Sequence, residues 1–144
     1  MTDHVKEAIK KRRAYRALKP FKADEKLVFD LAESASLAPS CFNNQPWRFI
    51  FVLDEDKLIQ MRQVYSEGNE WAYRASMVVA VFSKKEDDCV IKKRQYHQFD
   101  VGLATAHLIL RATELGLVAH PIAGYSPEKT REILKIPDEY QVIT

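Results

Sequence analysis

Long apolar runs, a secretory leader and paired cysteine spacings are all missing from this chain of 144 residues. No stretch approaches the ~18 consecutive apolar residues that a membrane-spanning helix requires. No basic start leads into an apolar segment, so no export signal is predicted. Cysteine occurs twice, at Cys41 and Cys89. That spacing suggests neither a disulfide framework nor a zinc site; no metal is predicted, and a reducing cytoplasm is the expected compartment. Internal repeats and low-complexity tracts are absent. Glycine is scarce, and no Gly-x-Gly-x-x-Gly or Walker loop occurs among the four present, which excludes the usual nucleotide cradles. A strong excess of one charge is missing too: the net charge is +2. With one basic stretch as its only support, a nucleic-acid-binding module is the weaker reading.

What is present is ordinary globular chemistry, 47% hydrophobic and 29% charged, in a chain long enough to bury one core. One domain over residues 1–144 is expected. Val5, Ala8 and Ile9 give residues 3–13 a helical stripe. Pro20 keeps the segment before it extended. Asp24 is placed to cap a helix carrying Leu27, Leu31 and Ala35, which ends before Pro39, and Asp54 to cap another with Leu58 and Met61. "WRFIFVL" (47–53) and "MVVAVF" (77–82) read as strands, the second buried on both faces. The longest helical pattern runs from about Arg94 to Leu115, with Gly116 as its stop. "LVAHPIAGY" reads as a strand broken by Pro121 and Gly124. Ser126-Pro127 starts a helix to about Lys135, and "YQVIT" begins a last strand. The resulting order, α-α-β-α-β-α-β-α-β, is not that of a doubly wound sheet. It predicts an α+β fold.

Three stretches carry ligand-facing chemistry. Lys10, Lys11, Arg12, Arg13, Arg16, Lys19 and Lys22 crowd within thirteen residues, either as a solvated face or as a site for an anion; arginines suit phosphate and polyol oxygens. "PSCFNNQPW" spends six residues between a helix and a strand, five of them with hydroxyl, thiol or amide groups, which is more hydrogen-bonding capacity than a turn needs. "HPIAGY" offers main-chain N–H groups beside a glycine that permits close approach. A flat, anionic, heteroaromatic cofactor would use all three.

The segments "RRAYRALKPF", "APSCFNNQPWRF", "MVVAVFSKKEDD" and "FDVGLATAHLILRATELGLVAHPIAGYSPEKTREILKIP" together resemble the FMN-dependent nitroreductase family. The resemblance implies a central, mainly antiparallel sheet flanked by helices. It implies a homodimer with FMN at the interface, lined by both subunits. Carried over by position, Arg12, Arg13 and Arg16 match the segment that holds the phosphate, the ribityl chain and the pyrimidine end of the flavin, with Ala14 where a serine is usual. Ser40, Cys41, Asn43 and Gln45 match the polar loop that contacts the flavin, partly across the interface. Pro121, Ile122, Ala123 and Gly124 match the turn whose backbone lies against the ring. The family's central strand continues beyond "VIT" and is followed by a basic phosphate ligand, so a C-terminally incomplete domain is expected. The implied activity is NADH- or NADPH-dependent reduction of nitroaromatic or quinone-type acceptors by a ping-pong mechanism, with no catalytic side chain because the flavin carries the chemistry. Reductive dehalogenation or oxidation on the same scaffold, and a non-catalytic flavin-binding remnant, are the alternatives.

Other residues have plainer readings. Trp47 and Phe49 are core aromatics of a strand. Cys41 is otherwise a small packing residue. His107 is a hydrogen-bonded structural histidine, whereas His97 and His120 lie nearer the candidate site. Asp100 is a helix-terminus residue or a contact at the flavin edge. Lys84–Asp88 is a solvated turn.

Overall fold

The computed structural model describes residues 3–144. Three of its helices start where a polar side chain replaces a missing intrahelical partner of the first N–H groups. After α1 (His4–Lys11), α2 (Glu25–Ser36) begins at Asp24, whose carboxylate accepts from the Leu27 N–H at 2.9 Å. Strand β1 (Arg48–Val52) leads to α3 (Glu55–Met61), which Asp54 caps through the Lys57 N–H at 2.9 Å. Strand β2 is Val78–Ser83, β3 is Val90–Ile91 and β4 is Arg94–Gln95; then comes the long helix α4 (His97–Glu114). Helix α4 ends on Gly116 at φ 78°. There the Gly116 N–H reaches the Thr113 carbonyl and the Leu117 N–H reaches that of Ala112, the glycine-dependent closure that lets a chain leave a helix with its last carbonyls satisfied. Helix α5 (Pro127–Leu134) opens with Ser126 as cap and proline in its first turn, and β5 (Gln141–Val142) follows.

The sheet has the order β1-β2-β5, and both pairings are antiparallel. Arg48 lies opposite Phe82, Val52 opposite Val78, and Phe82 opposite Val142. Alternation along β2 divides the core. Val81 packs with Leu31, Ala35, Val101, Ala104, Leu108 and Ala112, so α2 and α4 cover one face. Ala80 and Phe82 pack with Ile136 and Val142 toward the α5 side. Trp47 is buried in the first cluster and Phe49 packs against it, as the aromatic content of the segment predicts. Asp30 and Arg111 tie α2 to α4 by a two-pronged ion pair, Nε–Oδ1 2.6 Å and Nη2–Oδ2 2.7 Å. The Arg111 guanidinium holds the Asp30 carboxyl below its ordinary value. The pair therefore supports the fold above the ordinary aspartate range and is lost as acid protonates Asp30.

Three expectations are corrected. "LVAHPIAGY" forms no strand: Pro121 has no N–H to give a ladder, and only Tyr125 bridges, to Tyr65. The segment ahead of His97, taken as helix from Arg94, instead closes the small β3–β4 hairpin, Val90 opposite Gln95. Cys41 and Cys89, read as unpaired, form a disulfide. Two thiols 48 residues apart in sequence carry no local signal of pairing. The two-faced burial predicted for 77–82 holds for Ala80, Val81 and Phe82, while Met77, Val78 and Val79 are half-buried. These three residues line an apolar cavity of about 190 Å³. No helix among the described residues is long and apolar enough to cross a membrane.

Candidate functional site

Past α1 the chain runs without regular structure to Asp24 and crosses the turn at 70–76, where the Phe21 N–H donates to Ser76 Oγ at 2.9 Å. That crossing brings the N-terminal segment against the turn at 120–124. His120 Nδ1 lies 3.2 Å from the Tyr15 carbonyl, which can only accept, so Nδ1 is the donor. The His120 ring stacks on Trp71 with centroids 4.3 Å apart, and the Arg16 guanidinium sits 5.8 Å from the Trp71 centroid. A cation over an indole is an attractive arrangement. From Trp71 the contacts continue into the turn: Nε1–H donates to Asn69 Oδ1 at 3.2 Å, and Asn69 Nδ2 donates to the Gly124 carbonyl at 3.1 Å. A Cβ on Gly124 would run into Asn69 Nδ2, so a larger residue there would push the Asn69 amide away from the Gly124 carbonyl.

The main-chain donors of the turn are free among the described residues. The N–H groups of Ile122, Ala123 and Gly124 donate to nothing among the described residues, and Pro121 and Ala123 are exposed. Arg12 is half-buried, and Arg13 and Arg16 are exposed. No carboxylate among the described residues pairs with any of the three. Arg13 donates only to the main-chain carbonyls of Lys10 and Arg12.

The polar loop is built differently. Phe42, Asn43 and Gln45 have φ of 49°, 56° and 51°, the left-handed region that costs a side-chain-bearing residue roughly 1–2 kcal/mol. Such strain persists only where surroundings over-determine it, and it gathers at ligand-handling segments. Here the Gln45 N–H donates to Ser40 Oγ at 3.0 Å and the Cys41 N–H to Asp100 Oδ2 at 2.6 Å. The Asn44 amide reaches Asp88 at 3.3 Å, and the disulfide joins Cys41 to Cys89. Cys41 thus anchors the loop, while Phe42 at 87% exposure and the Asn43 and Gln45 side chains face outward.

Asp100, in the first turn of α4, is buried. Burial pushes its carboxyl above the ordinary aspartate value, the Cys41 N–H pulls it back, and the neighbouring Asp88 carboxyl pushes it up again. Asp88 Oδ2 is buried with no donor among the described residues. The Lys84–Asp88 segment is therefore not wholly the solvated turn that its charge suggests. His97 proves structural, buried and 2.8 Å from Ser83 Oγ through Nδ1. His107, expected to be hydrogen-bonded, makes no such bond among the described residues.

Within one chain, then, Arg16 and the 121–124 turn share a cluster, and Ser40–Gln45 belong to another. No hydrogen bond, ion pair or ring contact among the described residues joins the two. Sequence reasoning missed Trp71, because its ring is recruited by residues about fifty positions away on either side. Ligand pockets are commonly about 300–1,000 Å³, so the 190 Å³ cavity beside Trp71 and His120 is too small for a flavin.

The chain is similar to a protein named NADH dehydrogenase from Thermus thermophilus, 27% identical over 164 positions, covering 92% of this chain and 80% of the relative. It is 30% identical over 152 positions to iodotyrosine deiodinase from Thermotoga neapolitana, covering 88% and 76%. Its fold matches the solved FMN-dependent nitroreductase of Clostridium difficile R20291 with a TM-score of 0.76 at 28% identity, over 94% of this chain and 80% of that one. The model described as Nitroreductase family matches residues 9–69 and 60–144, a span that takes in the arginines, the polar loop and the turn alike, and the chain belongs to that family.

Proposed function

We propose that the chain is an FMN-dependent oxidoreductase that takes electrons from NADH or NADPH and delivers them to nitroaromatic or quinone-type acceptors. We further propose that it works as a homodimer, the arginine–turn cluster of one copy meeting the polar loop of the other. The observation that carries this reading is the array Arg16–Trp71–His120 beside three main-chain N–H groups with no partner among the described residues. That donor set fits a flavin phosphate: arginines uncommitted to any carboxylate answer the phosphate, and bare N–H groups answer a heterocycle's edge. The similarity to an FMN-dependent nitroreductase supports the choice of cofactor, and the relative named NADH dehydrogenase supports the donor.

When bound, FMN supplies the hydride and electron chemistry. The protein's part is to bind and to bias charge. Arg12 and Arg13 hold the phosphate and ribityl oxygens. Arg16, kept in place by the Trp71 face, opposes negative charge at the pyrimidine end. The N–H groups of Ile122, Ala123 and Gly124 donate toward the ring edge, and Ser40, Asn43 and Gln45 supply hydroxyl and amide contacts from the loop. No side chain acts as a nucleophile.

Steady-state turnover of the FMN-loaded protein tests the reading. With NADH varied against a fixed series of a benzoquinone, double-reciprocal lines are expected to be parallel, because the donor leaves before the acceptor enters. Intersecting lines, or no turnover by flavin-loaded protein, contradict it. The deiodinase relative favours one second reading, reductive dehalogenation at the same site. A halogenated tyrosine run beside the quinone and a nitroaromatic identifies the preferred acceptor class.

A further inference from the structure

We propose that the polar loop is redox-latched: Cys41–Cys89 is a thiol–disulfide exchange site, opened by a dithiol reductant, and its opening releases Phe42–Gln45 from their strained backbone. The inference concerns the loop itself and stands whether or not the loop touches flavin.

Four observations converge on it. The bond joins the loop to the residue just before the β3–β4 hairpin, across 48 positions of sequence. It is the one covalent tie between the loop and the rest of the fold beyond the chain itself. Three of the four residues following Cys41 hold left-handed φ without being glycine; such a stretch relaxes once its surroundings cease to dictate it. The non-covalent anchors are few. Outside the loop they are the Asp100 bond to the Cys41 N–H, the Arg48 bond to the Gln45 carbonyl at 3.1 Å, and long contacts of the Asn44 amide with Asp88 (3.3 Å) and Cys89 Sγ (3.5 Å). The bonds of Gln45 and Asn43 to Ser40, of Asn44 to the Cys41 carbonyl and of the Gln45 amide to Asn43 are internal. Finally, the bond is placed to be reached, since Cys41 is only half-buried and Phe42, its neighbour, is 87% exposed.

The chemistry balances without the flavin. A thiolate of the dithiol attacks one sulfur, the Cys41–Cys89 bond breaks and the other cysteine leaves as a thiolate. The second thiol of the reductant then displaces the first cysteine, becoming a cyclic or protein disulfide. Two electrons and two protons pass to Cys41 and Cys89, which end as thiols. A carboxylate oxygen of Asp88 lies within 4.8 Å of both sulfurs, and Asp100 neighbours Asp88. A carboxylate beside a sulfur disfavours its thiolate, which suits a conformational latch rather than a catalytic thiol centre.

The test uses the full chain without added flavin. Native protein is incubated with dithiothreitol, alkylated and weighed, and its amide hydrogen exchange is compared with that of untreated protein. Two alkylations per chain are expected under native conditions. Exchange within residues 41–45 is expected to rise at least tenfold, with β1 unchanged. Cys89→Ser should show the exchange pattern of the reduced protein with no reductant present. The proposal is overturned if the pair is reduced only after denaturation, or if 41–45 stay protected in both the reduced protein and Cys89→Ser. A parallel FMN titration separates the two readings: a loop that is released while flavin affinity stays constant upholds the latch and removes the loop from the flavin site.

Discussion

Leu31→Ala is expected to lower the free energy of unfolding by about 4 kcal/mol, in the upper part of the range for truncating a buried leucine. Leu31 is completely buried on α2 and packs with Val81 of β2 and with Val101, Ala104 and Leu108 of α4. It also lines the apolar cavity. Truncation would enlarge an existing void instead of leaving a gap that neighbours can close, and the cost of such mutations grows with residual volume. Urea denaturation followed by circular dichroism measures it. A loss below ~1 kcal/mol would show that α2 and α4 are not held together by this cluster.

Cys89→Ser is expected to cost about 1–2 kcal/mol relative to the oxidised protein. Closing a loop of this length removes roughly 4 kcal/mol of conformational entropy from the unfolded chain, and the strain released at Phe42, Asn43 and Gln45, least at the asparagine, returns half of it or more. The urea midpoints of oxidised wild type and of the variant decide the matter. Equal midpoints would mean that native strain at the loop cancels the cross-link.

Much of the fold is legible because its signals are local. Asp24, Asp54 and Ser126 announce three helices by cap chemistry, Gly116 ends a fourth, and "MVVAVF" has no reading but a buried strand. The 120–124 segment misleads because its residue types favour a strand, whereas Pro121 and the carbonyl of Gly124, engaged by Ser66 and Asn69, commit it to a turn. The β3–β4 hairpin has only two residues per strand, too short for alternation to show. At the candidate site the arginines, the amides and the turn are visible as types of chemistry. What sequence cannot carry is their grouping: that Trp71 joins Arg16 to His120, that Asp100 receives the Cys41 N–H, and that the two cysteines meet. Each is a contact made by tertiary packing between residues far apart in the chain.

The central claim is that arginines near the N-terminus and bare N–H groups at 122–124 bind FMN. Titration of the purified chain with FMN, followed by flavin absorbance and fluorescence, tests it most directly. Saturable binding at one flavin per chain is predicted, with Arg12→Ala weakening it at least tenfold while circular dichroism and Tm stay unchanged. A folded protein that binds no FMN, or an Arg12→Ala variant with wild-type affinity, contradicts the account.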